Sequence, residues 1–286
     1  MMPVPRRLPN PAEGVRRRLA REVHSLFHSS ADEPRVMRSP DALVAADSVA
    51  WRVHGDVTTM MAGGIAALLL QMLHPAALAG VWDHSKFETD MIGRLRRTAR
   101  FIAVTTYAER GQGEAMIQRV ARIHDHVSGT LPDGRRYSAN DPATLAFVHV
   151  AGAVCFLDAY IRFVEPGMRR ADQDQYFAEV AGTARALGAD PVPTTRADAE
   201  ALLGVFRPEL TADARSRRVR DLILGAAPKH LAAAPVQAML MQAAIDLLPG
   251  DAREMHGLRR SRLTRPVLNI ATSGLARTLR WALSAR

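Results

Sequence analysis

The chain has a single cysteine, Cys155, which excludes an internal disulfide framework, a cysteine-rich zinc site and an iron–sulfur cluster. It sits in the apolar run VAGAVCFLDAY and reads as a small core residue. Lysine occurs only at Lys86 and Lys229, so the other basic residues of the 38 are all arginine. That reads as genome composition before it reads as function. Aromatic residues make up 5%, too few for a stacking platform on single-stranded nucleic acid. β-Branched runs are short while alanine, leucine and arginine abound, which favours helix along most of the chain. There is no glycine-rich phosphate loop after a strand, no HExxH, no set of Glu-x-x-His motifs and no GxSxG elbow. Nucleotide binding of Rossmann or Walker type, di-iron bundle chemistry and α/β-hydrolase catalysis are therefore unsupported. The opening MMPVPRRLPNPAEG has a twin arginine but no apolar segment behind it, so a cytoplasmic protein is expected, not an exported one.

What is present is a chain of 286 residues, 48% hydrophobic and 23% charged, enough to bury a sizeable core. The net charge of +9 is concentrated at the ends. Residues 1–24 hold six Arg against Glu13 and Glu22, and residues 251–286 hold eight Arg against Asp251 and Glu254. The middle is close to neutral, which with the scarcity of aromatics argues against nucleic acid as a partner. Solvated tails are the ordinary reading of such ends, and contact with an anionic lipid surface is the rarer one.

From Val57 to Trp82 no Asp, Glu, Lys or Arg occurs, long enough to cross a bilayer. Gln71, His74 and Pro75 interrupt it, and Pro75 should end or kink a helix at His74. A buried core helix is expected here. Residues 89–107 read as a helix whose stripe holds Met91, Leu95, Thr98 and Ile102. Arg94 and Thr98 are i, i+4 neighbours beside that stripe, so both should look inward, and a buried arginine needs an anion. In residues 114–127, Ile117, Val120, Ile123, His124 and Val127 recur at helical spacing, with Gly129 as the stop. A histidine on such a face is either a satisfied core residue or a ligand to metal or haem iron. A turn at Pro132-Asp133-Gly134 follows, then a cap at Asn140 or Asp141 with Pro142 in the first turn of an uncharged helix carrying His149. Two buried imidazoles on different helices would suit a cofactor held between them. Further helices are expected at 172–187, 196–205, 211–224 and 235–248. At the ends, residues 12–27 and the segment holding Val267, Leu275 and Trp281 read as amphipathic helices. His24 and His28, at i, i+4, read as ordinary helix residues. The expected organisation is a flexible leader (1–12), one all-α domain of roughly ten helices (13–250) and a basic helical tail (251–286).

The blocks LLLQMLHPAALAGVWDHSKF, RLRRT, RIHDHVSG and YSANDPATLAFVH stand in an order and spacing that resembles one family over about residues 47–205. It is the family that shares its catalytic domain with the latex-clearing rubber oxygenases and the mycophenolate-pathway side-chain-cleaving oxygenase. The resemblance implies an all-helical haem b protein that cleaves an alkene of a hydrophobic, isoprenoid-like substrate with dioxygen. It makes His124 the proximal iron ligand, and Arg94, Arg97 and Thr98 the oxygen-side residues. Arg94 could also brace a haem propionate, and His149 matches a further family histidine. The chain departs from the rubber enzymes in placing Arg97 where they use lysine. It also lacks a carboxylate between Pro75 and Asp83, and an export signal, so rubber itself is not the expected substrate. The uncharged helices 57–73 and 143–157 would wall an apolar pocket. The alternatives are a protein of this fold that binds haem or a hydrophobic ligand without turnover, and a peripheral membrane or interaction protein using residues 251–286.

Overall fold

A computed structural model describes residues 35–226, 234–259 and 274. The leader, the helix at 12–27, the His24/His28 pair and the helix of the basic tail lie outside the described residues.

Several helix starts follow from local chemistry. Ser48, Asp56 and Asp141 accept hydrogen bonds from Trp51 N, Thr59 N and Thr144 N, and so cap α1 (Val49–His54), α2 (Val57–Gln71) and α6 (Pro142–Phe163). Such caps satisfy backbone donors that the first turn leaves free. His74 caps α3 (Pro75–His84) through its ring, with Pro75 in the first turn. The uncharged stretch 57–82 is therefore two helices, bent by 101° at the His74–Pro75 step. The break falls where Pro75 was expected to end or kink the helix, because proline lacks the N–H that would continue it. After α4 (Phe87–Tyr107) and α5 (Arg110–His124) comes a two-stranded antiparallel hairpin, β1 (Ser128–Thr130) and β2 (Arg136–Ser138). Gly134 turns it at φ +88. α5 stops at His124, three residues short of the expected end, since Gly129 is in β1. A Cβ on Gly129 would lie 2.8 Å from the Tyr137 ring, so this glycine serves strand packing and not helix termination.

The chain continues through α7 (Arg170–Ala186), α8 (Arg196–Phe206), α9 (Ala214–Leu224), α10 (Ala234–Leu247) and α11 (Gly250–Met255). The fold is all-α, with one small hairpin among the described residues. At its centre α2 and α6 cross in direct contact. A Cβ on Gly63 would sit 2.8 Å from the Cys155 carbonyl and 3.0 Å from Phe156 Cα, and Gln71 Nε2 donates to Val148 O at 2.8 Å. The two helices thus pack directly on each other, and small residues at the crossing let their backbones close. Among the described residues α6 alone is long and apolar enough to cross a membrane, and α2 with α3 pass the same test only as a bent pair. Most of α6 is buried within the protein, as a core helix is.

The basic tail expected to begin at Asp251 starts inside the fold. Ala252, Arg253 and His256 are buried, His256 Nε2 donates to Leu69 O at 2.8 Å, and Arg220 donates to the His256 carbonyl.

Candidate functional site

α4 and α5 form an antiparallel pair. Near their turn a Cβ on Gly113 would meet Val104 O at 3.8 Å, and at the far end the Arg94 charge reaches His124. Arg94, Arg97, Thr98, Phe101 and Thr105 fall on one face of α4 by helical spacing. That face is buried at Thr105, half-buried at Arg94 and exposed at Arg97 and Thr98.

His124 is the last residue of α5 and half-buried. Burial holds its ring below the usual histidine range, with Asp125 opposing and Arg94 reinforcing that shift. The imidazole is therefore neutral at pH 7, and its Nδ1 is buried without a hydrogen-bond partner among the described residues. A buried ring nitrogen that finds no partner is unusual. Of the residues expected on its stripe, Ile117 is buried, but Ile123 is 53% exposed and faces away.

Arg94 has no carboxylate partner among the described residues, and burial and the Arg97 charge both lower its pKa. Thr98 donates its hydroxyl to Arg94 O at 3.2 Å, closing a local turn of its own helix. Arg97 is exposed and paired with Asp90 at 2.9 Å. The structure thus brings Arg94 and His124 together, with Arg97 and Thr98 on the open end of the same α4 face.

His149 sits on α6, where burial lowers its pKa to about 4 and Arg185 is the charged neighbour. Its Nε2 is also buried and unpartnered. The two histidines answer to different charged neighbours, Asp125 and Arg94 for His124 and Arg185 for His149. His74 is buried and structural. Its Nδ1 accepts from Ala77 N at 3.4 Å, which leaves the proton on Nε2, directed at Glu209 3.7 Å away. Its ring stacks on Phe147 at 4.8 Å.

Two groups escaped sequence reading. Asp90 holds Arg97, and the signal for it was an Asp seven residues before an Arg, two turns away on one face. His54 bridges three helices, with Nδ1 2.9 Å from Thr106 Oγ1 and Nε2 3.1 Å from Tyr176 OH. Nothing in its local pattern marks it. A surface cleft of about 460 Å³ is lined by Arg38, Trp51, Arg52, Arg169 and Asp172 among others, and includes none of the expected site residues. No group of three or more His, Cys, Asp or Glu suited to a metal ion occurs among the described residues.

No match emerged among curated proteins or solved structures. The family described as the catalytic domain of ER-bound oxygenase mpaB/B′ and rubber oxygenase matches residues 51–281. A match over that much of an all-helical chain makes the protein a member of the mpaB/rubber oxygenase catalytic-domain family.

Proposed function

We propose that this protein is a haem-dependent oxygenase that cleaves a hydrophobic, isoprenoid-like alkene. Membership of an oxygenase family supports the reaction class. The observation that carries the cofactor is a neutral imidazole with an unpartnered ring nitrogen, His124, set beside the half-buried Arg94. A porphyrin brings four ligands of its own, so one protein histidine suffices where no cage of side chains exists. An Arg94 without a carboxylate partner suits a propionate, which would complete a charge-assisted pair. The donor set fits haem b. When bound, haem supplies a redox-active iron that activates dioxygen for insertion into the alkene.

The chain's own residues would do the rest. His124, kept neutral by burial, offers its lone pair at pH 7 without first losing a proton. Arg97 and Thr98 offer donors to a developing negative charge on oxygen. Addition of both atoms of dioxygen across one C=C, giving two carbonyl groups, balances without an external reductant. His149, neutral and with a buried free nitrogen, would serve the cofactor from α6.

The test is the absorption spectrum of protein expressed with haem precursor, beside His124→Ala. A Soret band lost or shifted in the variant is expected. A colourless, metal-free protein at full haem supply would sink the reading. Arg97 tied to Asp90, and Thr98 tied to its own helix, favour a second reading: haem or hydrophobic-ligand binding without turnover. Alkene-dependent oxygen uptake by the purified protein separates the two, since the binding protein shows none.

A further inference from the structure

Asp90 interrupts α4. Its backbone (φ −135, ψ 43) leaves the helical region while helix continues on both sides. Oδ1 accepts Gly93 N at 3.1 Å, which makes Asp90 the cap of the segment bearing Arg94, Arg97 and Thr98. Oδ2 accepts Arg97 Nη1 at 2.9 Å. Gly93 makes this possible, because a Cβ there would lie 2.1 Å from Oδ1 and 2.5 Å from Oδ2.

A cap alone needs no such glycine. Asp56, Asp141 and Asp213 cap their helices with Thr59, Thr144 and Ser216 at the equivalent position. What sets Asp90 apart is that its carboxylate lies over the vacant Cβ position at Gly93 while also reaching a guanidinium seven residues on, beyond the usual i+3 and i+4 neighbours. Cap, vacancy and ion pair are separate features that converge on the direction of one side chain.

The pair is half open to solvent, with Arg97 65% and Asp90 49% exposed. Such a contact is weak enough to be exchanged for another anion. We infer that Asp90 is a positioning residue whose carboxylate holds the Arg97 guanidinium at the mouth of the α4/α5 site and competes for it with any anion bound beside His124. Gly93 is the residue that lets it do so. The competition rests on the haem reading of that site, whereas the hold does not.

The experiment is azide titration of the haem-loaded ferric protein, read from the Soret band, for wild type, Asp90→Asn, Gly93→Ala, Arg97→Ala and Asp90→Asn with Arg97→Ala. Asparagine keeps the cap and removes the charge. Alanine at 93 favours helix and expels the carboxylate. Asp90→Asn and Gly93→Ala should each tighten azide roughly two- to fivefold, the scale of an exposed ion pair. Asp90→Asn should change nothing once Arg97 is gone. Unchanged affinity in Asp90→Asn, or the same gain without Arg97, overturns the competition. A second readout uses the cofactor-free protein: carbon NMR titration of the Asp90 carboxyl, which should sit below the ordinary aspartate range in wild type and rise in both Arg97→Ala and Gly93→Ala. An ordinary Asp90 titration in wild type overturns the hold. A protein that takes up no haem overturns the site reading, and the competition with it, while the NMR titration still decides the hold.

Discussion

Single residues carry the chemistry, and they differed in how far their sequence neighbours announced them. His124 and Arg94 could be picked out because helical spacing sets each against an apolar stripe, and both are half-buried as that spacing implies. Asp90 and His54 could not, since their roles depend on a broken turn, a missing Cβ and partners on other helices. His54 also makes stability sensitive to pH. Burial lowers its pKa from 6.5 to about 4. The unfolded chain therefore takes up a proton below pH 6.5 that the native ring refuses. The associated stability is complete above pH 6.5 and is lost as pH falls toward 4, by up to about 3 kcal/mol. Urea midpoints measured from pH 7 to 4 should fall in that window, and His54→Gln should flatten the fall. An equal fall in the variant would assign the effect to other groups.

At the scale of the elements, starts were legible where the first turn carries a proline or an acidic cap. Proline at 75 and 142 and the acidic cap at Asp141 mark where α3 and α6 begin, because first-turn chemistry is local. The end of α5 was misplaced, and the hairpin was seen only as a turn, because three-residue strands have no periodicity to read. Helix pairing was out of reach altogether. Gly63 in sequence merely weakens a helix, whereas in the fold it is the point where α2 touches the α6 backbone. Gly63→Ala should therefore destabilise by about 1–3 kcal/mol despite its better helix propensity, read as a lower urea midpoint with unchanged slope. The same substitution at Gly182, which meets nothing within 4 Å, should instead be neutral or mildly stabilising.

For the whole molecule the boundary of the domain matters most. Composition put the basic tail at residues 251–286, but the buried Ala252, Arg253 and His256 belong to the core. A chain ending at Gly250 loses these contacts and should unfold about 2–5 kcal/mol more easily than one ending at Arg259. Equal midpoints for the two truncations would show that α11 contributes nothing. A liposome sedimentation test of the basic end should accordingly remove residues 260–286 and leave α11 in place. By itself the sequence determined the all-helical class, the two uncharged central segments, the break at Pro75 and the family, since these rest on composition, periodicity and motifs carried along one chain. Only the tertiary structure decided that α2 and α6 close on each other at Gly63, that the Arg94 charge acts on His124, and that Asp90 pairs with Arg97. Those outcomes depend on which helix faces meet, and that is set by the packing of small residues from distant segments and not by any local pattern.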